Sequence, residues 1–141
     1  MSTEGNRIVV RRYFAELLNN GNLQVATKIL TKDFIFHNPG AAPVTGIDAF
    51  KACIAKLHTA FPDLHFTPEQ EIVEKDRVAG RFSFTATHKG EYAGIPPTGK
   101  AITVRGVDIF YFKGAKISEV WVYMDRLEMM MQMGVVPSRP E

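Results

Sequence analysis

The segment that ends at residue 125 places a carboxylate on the same strand face as an aromatic ring. Trp121 and Asp125 are four residues apart, so in an extended strand their side chains lie on the same face. A carboxyl group in apolar surroundings has a raised pKa, which suits it to exchange protons near neutral pH. Aspartate is also a favoured helix N-cap. The spacing therefore allows Asp125 either an acid–base role or a capping role.

A second carboxylate, Asp108, lies in the apolar run VDIFYF and shares its predicted face with Phe110 and Phe112. A carboxylate in such a run needs a polar partner. Asp108 therefore fits a structural ion pair as well as a functional group. The candidate partners on neighbouring strands are His37, His88, Arg81 and Arg105.

Two histidines end strand-like segments, since His37 closes residues 34–37 and His88 closes residues 82–88. Such positions fit the rim of a pocket, and they fit a structural histidine held by hydrogen bonds. The sequence contains no HxH or HxxxH pair and a single cysteine, Cys53, so neither a metal site nor an internal disulfide is expected. Nucleotide-binding, phosphate-loop and nucleophile-elbow motifs are absent from it as well.

The elements that hold these residues change period along the chain. Three early segments repeat apolar residues at spacings of three and four, which is typical of helices. They cover residues 10–18, 23–30 and 46–61, and a short strand, Asp33–His37, precedes the third. From residue 64 the period is two, and a short helix follows residue 125. The four long strands predicted there are Leu64–Glu74, Arg77–Lys89, Ala101–Lys113 and Ala115–Asp125.

The order α-α-β-α-β-β-β-β predicts an α+β protein in which helices cover one face of a curved antiparallel sheet. A length of 141 residues fits one domain, spanning residues 1–141. A long, twisted sheet wrapped around a helix forms a cone with an internal pocket. Phe14, Phe50 and Trp121 are expected to line that pocket with aromatic rings.

The last strand is apolar on both faces, which predicts a second buried surface. Val120, Val122 and Met124 lie on the face opposite to Trp121. Exposed apolar patches of that size are unusual on monomers. We therefore expect a homodimer or a larger homo-oligomer that buries these three side chains between subunits.

Charge and hydropathy exclude several classes of partner. The net charge of +2 is scattered rather than gathered into a basic stripe, so no nucleic-acid partner is expected. No apolar run approaches the roughly 20 residues needed to cross a bilayer, and the polar N-terminus lacks the apolar core of a signal peptide. We expect a cytoplasmic protein with no membrane partner.

Short segments spread over nearly the whole chain form a distinctive combination of loops and strand ends. They are FPDL (61–64), DRVA (76–79), THKGE (87–91), GIPPTGK (94–100), GAKISEVW (114–121), VYMD (122–125) and QMG (132–134). Together they resemble the SnoaL-like polyketide cyclases of the nuclear transport factor 2-like superfamily, and GIPPTGK with the strands after it is the most specific part. The resemblance implies a cone-shaped, cystatin-like fold, a dimer or larger oligomer, and a pocket between helices and sheet.

The resemblance also implies a chemistry. Characterised cyclases of this family close a ring by intramolecular aldol condensation and use neither cofactor nor metal. In them a single aspartate at the end of the last strand serves as acid and base, and it corresponds to Asp125 here. We therefore expect an enzyme without cofactor that acts on a small apolar or aromatic molecule bearing carbonyl groups.

In that reaction Asp125 would remove an α-proton, and the enolate would attack a second carbonyl of the same molecule. His37, His88 or Asp108 would position the substrate or stabilise developing charge. A ketosteroid-type isomerase and a non-catalytic binding protein remain open alternatives. An epoxide-hydrolase-like site would need an Asp–Arg–Asp set, but strand parity places Arg105 on the face opposite to Asp108.

Overall fold

The computed structural model describes residues 3–137, which form helices packed on one side of a curved sheet. The N-terminal helix changes into a wider π-helical coil before it ends, and there the Asn20 amide donates to the Ala15 carbonyl at 3.1 Å. The helices are α1 (Thr3–Arg12, continued as the π-helix Tyr13–Asn19), a 3-10 turn (Leu23–Val25), α2 (Ala26–Ile29), α3 (Ile47–Ala60) and α4 (Arg126–Gln132). None of them is long and apolar enough to span a membrane.

Six strands in the described residues form one sheet in the order β2-β1-β6-β5-β4-β3. All neighbouring pairs are antiparallel except β1 and β6, which are parallel. The four long strands predicted from the period of two are confirmed, and the two-residue β2 is too short to carry any period. The strands are β1 (Leu30–His37), β2 (Val44–Thr45), β3 (His65–Glu74), β4 (Arg77–Thr87), β5 (Ala101–Lys113) and β6 (Lys116–Met124).

The concave face of the sheet is apolar because inward residues alternate regularly along β4 and β5. Every second residue is buried there, and the helices supply the opposite half of the core. Burial of these rings and branched side chains is the main contribution to stability that this architecture provides. The buried inward residues are Val78, Phe82, Phe84 and Ala86 on β4, and Ile102, Val104, Phe110 and Phe112 on β5.

A β-bulge in β6 changes which residues of that strand face inward. The register of β6 against β5 shifts between Tyr111 and Phe112, so that Tyr111 pairs with Glu119 but Phe112 pairs with Ile117. The extra residue reverses the alternation. As a result Ile117 is buried on the inner side, and so are the even-numbered residues after it, Val120 and Val122.

This bulge overturns the predicted orientation of the last strand. Val122 and Met124 line the inside of the cone, and they do not form an outer surface for a second subunit. The outer face carries Trp121 and the half-exposed Tyr123 instead. The predicted orientation depends on strict alternation along the last strand, and a single inserted residue is enough to invert that alternation.

The homo-oligomer stays a prediction, but the contact between subunits is now expected on a different part of the last strand. The outer face of the sheet offers Tyr123, which is 52% exposed, beside the partly buried Tyr111 and Trp121. We expect sedimentation velocity at micromolar concentration to give the mass of a dimer or larger species. A Tyr123→Glu variant should shift it toward monomer, because a charge in a contact between subunits is costly to desolvate. An unchanged mass distribution for the variant would contradict the use of this face.

The end of α3 lies so close to the loop after β4 that only glycine fits between them. The amides of Lys89 and Gly90 both donate to the Ala60 carbonyl at 3.0 Å. A Cβ atom added to Gly90 would lie 2.4 Å from the Thr59 carbonyl oxygen. This contact fixes the helix against the loop at the open end of the cone.

We expect Gly90→Ala to lower the free energy of unfolding by about 1–3 kcal/mol, because the added methyl group forces two backbone segments apart. The neighbouring exposed side chain provides the control, and Lys89→Ala should change stability by less than about 0.5 kcal/mol. Urea unfolding followed by circular dichroism measures both values. Equal stability of the two variants would contradict the tight contact.

Candidate active site

A cavity of about 920 Å³ lies between the concave face of the sheet and the helices. Its deep walls are apolar and come from every layer of the fold, with aromatic and aliphatic side chains facing one another. The exposed end is formed by the loop after β1, the loop after β4 and the last turns of α3. The deep wall residues are Tyr13, Leu18, Phe36, Phe50, Ile54, Leu57, Phe66, Phe82, Phe84, Val122, Met124 and Met129.

Phe50 and Phe14 were both predicted to line the pocket, but only Phe50 does so. Phe50 on α3 lines the cavity and packs against Phe36 with ring centroids 4.9 Å apart. Phe14 is buried behind the wall, where its ring meets those of Phe82 and Phe110 at 5.8 and 5.9 Å. The predicted substrate-binding position is therefore wrong for Phe14, because the π-helical coil presents Tyr13 to the cavity in its place.

Asp108 is the carboxylate that the fold buries in the cavity wall. It lies on β5 between Gly80 of β4 and Val122 of β6, and it is 3% exposed. Its Oδ1 atom has no hydrogen-bond partner within residues 3–137. Desolvation by burial raises the pKa of Asp108 well above its ordinary value, so the group holds its proton at a pH where an exposed aspartate has lost it.

Tyr13, which carries a hydroxyl group, lines the same cavity. Its ring stacks on Phe50 at 6.2 Å and meets Phe110 edge-on at 5.1 Å, which fixes its orientation. Desolvation raises the pKa of Tyr13 well above 10, and the nearby Asp108 carboxylate raises it further. Tyr13 is therefore a hydrogen-bond donor under all ordinary conditions. The helical period identified Tyr13 as a core residue, but nothing in the sequence marked its hydroxyl group as functional.

The structure places Asp125 and Trp121 outside the cavity. Asp125 is exposed and caps α4, since its Oδ1 atom accepts a hydrogen bond from the Glu128 amide at 3.1 Å. Trp121 lies on the outer face of β6. The prediction that both side chains point inward is wrong, because the bulge in β6 reverses the parity on which it depended. The capping alternative for Asp125 is confirmed.

His37 belongs to a cluster on the outer face as well. Its ring stacks on Trp121 at 3.8 Å with an angle of 8° between the planes. Its Nε2 atom lies 2.5 Å from the Glu119 carboxylate, which also accepts a hydrogen bond from the Trp121 indole at 3.2 Å. The parallel pairing of β1 with β6 brings these three residues together, and none of them lines the cavity.

His88 is fully buried beside the cavity but does not line it. Its Nδ1 atom accepts a hydrogen bond from the Thr98 amide at 3.3 Å and lies 2.9 Å from the Thr98 hydroxyl. Its backbone bonds to Gly99 and Lys100. His88 therefore anchors the GIPPTGK loop, a structural role that the sequence left open.

Two polar residues at the outer end of the cavity were not singled out in the sequence. Arg126, the first residue of α4, donates a hydrogen bond from Nη2 to the Asn38 side-chain oxygen, and both residues line the cavity. The sequence signal for Asn38 was only that of a turn former. Arg105 is exposed on the outer side of β5, so the Asp–Arg–Asp set of the epoxide-hydrolase alternative is not assembled. Residues 3–137 contain no group of three histidine, cysteine or acidic side chains that could hold a metal ion.

Comparison with known proteins agrees with this architecture. Residues 8–133 match the family of SnoaL-like polyketide cyclases. The chain belongs to this family. No protein among those with curated functions matches the sequence.

Solved structures of similar fold come from several bacteria. A protein from Jannaschia sp. CCS1, assigned to the SnoaL-like polyketide cyclases, superposes with a TM-score of 0.88 at 27% identity, covering 95% of this chain and 94% of that one. AclR from Streptomyces galilaeus, assigned as a hydroxylase, gives a TM-score of 0.85 at 27% identity over 99% of this chain and 87% of its own. TsrD from Streptomyces laurentii, at 24% identity and a TM-score of 0.87 over 96% and 99% of the chains, shares the fold. The SnoaL-like, nuclear transport factor 2-like fold and a cyclase-like function are thereby supported.

The buried acid has a measurable effect on the pH dependence of stability. Because the folded state raises the pKa of Asp108, it keeps a proton that the unfolded chain releases above about pH 4. The contribution of Asp108 to the stability of the wild-type protein therefore falls as pH rises from about 4 toward the raised pKa, by up to about 1.4 kcal/mol per pH unit. Asparagine at this position cannot ionise, so the variant does not show this decrease in stability.

We expect the free energy of unfolding of Asp108→Asn, measured relative to that of the wild type, to increase as the pH is raised. Urea unfolding at about pH 5, 6 and 7 measures the difference, and the other ionisable groups cancel because both proteins contain them. Parallel curves would mean that Asp108 is ionised in the folded protein, and they would contradict its burial as a neutral acid.

Proposed function

We propose that the protein catalyses proton transfer at an apolar, carbonyl-bearing small molecule and closes a ring in it by intramolecular aldol addition, with Asp108 as the acid–base group. The observation that carries the proposal is the unpaired carboxyl oxygen of Asp108 in the wall of a cavity of about 920 Å³. Membership of the SnoaL-like polyketide cyclase family supports the reaction class. The substrate would be small enough to enter that cavity and apolar enough to displace water from it.

A raised pKa serves both halves of such a reaction. An aspartate of raised pKa is a stronger base when ionised, and its protonated form persists at a higher pH than usual. Ionised Asp108 would take an α-proton, which breaks a C–H bond and leaves an enolate. The enolate carbon would then attack a second carbonyl carbon of the same molecule. The alkoxide that results would recover the proton from Asp108, so the residue returns to its starting state and no atoms are gained or lost.

Tyr13 would stabilise the charge that develops during this sequence. Its hydroxyl group stays protonated because burial and the neighbouring carboxylate raise its pKa. A donor held in an apolar wall interacts more strongly with an enolate oxygen than with a neutral carbonyl, since the low local polarity strengthens charge-assisted hydrogen bonds. The stacked ring of Phe50 fixes the donor before the substrate arrives.

The exchange of α-protons tests this assignment without knowledge of the natural substrate. β-Tetralone, a bicyclic ketone with acidic α-protons, serves as the probe, and loss of its α-proton signal in D2O is followed by NMR. We expect the wild-type protein to accelerate exchange over buffer. Asp108→Asn should lose that acceleration by roughly 10²- to 10⁴-fold, the usual contribution of a positioned general base.

Asp125→Asn is the matched control, because asparagine is as good an N-cap as aspartate and preserves α4. It should retain the wild-type exchange rate. The reverse outcome, with exchange lost in Asp125→Asn and kept in Asp108→Asn, would show that Asp125 is the acid–base group despite its position at the cap. Circular dichroism and thermal unfolding of both variants establish that they are folded.

The isomerase alternative uses the same groups. Proton removal and return at a different carbon need a base and hydrogen-bond donors, and in ketosteroid isomerisation an aspartate base works beside a tyrosine and a protonated aspartate. A desolvated Asp108 of raised pKa beside Tyr13 suits proton transfer at carbon in either reaction. Binding of β-tetralone with no exchange at all would instead favour a non-catalytic binding protein.

A further inference from the structure

The outer end of the cavity differs in polarity from its floor. The floor offers the neutral Asp108 and Tyr13 among apolar side chains, whereas the outer end is bordered by Lys56, Arg126 and Glu91. The Glu91 carboxylate accepts a hydrogen bond from the Gly94 amide at 2.7 Å and so belongs partly to its own loop. The entrance therefore carries two cationic side chains and one carboxylate that is already bonded within its own loop.

The side chain of Arg126 is held by a neutral amide and is not paired with a carboxylate. Its guanidinium donates to the neutral side-chain oxygen of Asn38. Within residues 3–137 no carboxylate oxygen lies within ion-pair distance of it. A guanidinium has five N–H donors in a planar fork, so one bond to an amide orients the group and leaves donors for a further acceptor.

We propose that Arg126 binds a carboxylate of the substrate, so that the preferred ligand is an apolar ketone with an acidic group at the end nearest the entrance. The inference rests on the proposed function in one respect, since it takes the floor of the cavity as the end that receives the carbonyl group. A half-buried guanidinium recognises a carboxylate bidentately and more strongly than an ammonium group does. Asn38 acts as a positioning residue that aims the guanidinium.

The strand register gives the separation between the two ends of such a ligand. Val122 is the cross-strand partner of Asp108, and Arg126 follows it by four residues. Four residues span at most about 14 Å, and the turn into α4 shortens that distance. The long arginine side chain can reach back along it. A bicyclic or biphenyl ketone with its carboxylate at the end opposite to the carbonyl therefore matches the spacing.

A matched pair of ligands tests the inference. 4′-Acetylbiphenyl-4-carboxylic acid carries its ketone and its carboxylate at opposite ends of a biphenyl, and its methyl ester keeps the ketone and the rings but lacks the charge. We expect isothermal titration calorimetry to give roughly 10-fold or tighter binding of the acid than of the ester to the wild-type protein. Arg126→Gln should weaken binding of the acid by roughly 10- to 100-fold, the value of a charged hydrogen bond, and change that of the ester by less than about 2-fold.

Arg105→Gln is the control variant. It removes the same charge near the same end of the sheet, because the Asp125 amide bonds to the Arg105 carbonyl, but Arg105 is exposed on the outer face. It should leave both affinities unchanged. Arg126→Lys should bind the acid more weakly than the wild type and more tightly than Arg126→Gln, since it keeps the charge and loses the fork.

Four results would overturn the inference. For the wild type they are equal binding of acid and ester, or binding of neither ligand. For the variants they are unaltered binding of the acid by Arg126→Gln, or equal losses in Arg126→Gln and Arg105→Gln. The proposed function fails separately, if the wild type prefers the acid through Arg126 but does not exchange the α-protons of β-tetralone. If the wild type exchanges the α-protons of β-tetralone but does not prefer the acid over the ester, the inference fails and the proposed function stands.

Discussion

The concave face of a strongly curved sheet has to be kept from water, and the helices of this fold cover it only in part. At the narrow end the rings of Phe14, Phe82 and Phe110 pack together and fill the space. Next to these rings the π-helical coil, α3 and the sheet enclose a cavity with the same kind of apolar wall. Site and core are thus continuous. Any polar group on an inward position of β4, β5 or β6 is desolvated by the packing that stabilises the fold.

The chemistry of Asp108 follows from that constraint. Its pKa is raised by burial and not by a neighbouring negative charge, so the apolar wall itself is what tunes the acid. Such an arrangement costs stability at neutral pH, because the unfolded chain can ionise the group and the folded chain cannot do so freely. A fold that tolerates this loss keeps a proton available where an enclosed ketone would meet it.

Much of the architecture could be predicted from the sequence because it depends on local periodicity. The change of period at residue 64, the long strands and the inward position of Asp108 beside Phe110 all follow from alternation that the structure preserves. The side chains of β6 could not be predicted in the same way. One extra residue near Ser118 inverts the faces of Trp121, Val122 and Asp125, and a bulge has no clear signature in a strand that is apolar on both sides.

Whether a site residue could be predicted also depends on whether it lies on an element with regular period. Phe50 and Asp108 were identified because each lies on an element with regular period, whereas Asn38 and Arg126 were missed because they meet only through tertiary structure, 88 positions apart in the chain. His37 and His88 were noticed for their chemistry, but their partners Glu119 and Thr98 are set by strand pairing and by a loop. Residue type alone therefore does not show which polar side chains reach the cavity.

The two ends of the cavity depend on each other electrostatically. A carboxylate bound near the entrance with no counter-charge would disfavour ionisation of Asp108, since like charges in a medium of low polarity repel strongly. The base would then be lost at the moment when the substrate binds. Arg126 at the entrance cancels that field, because the guanidinium and the bound carboxylate form a neutral pair. An acidic substrate is thus compatible with a buried aspartate base only when the cation sits at the entrance, and the cavity has its guanidinium there.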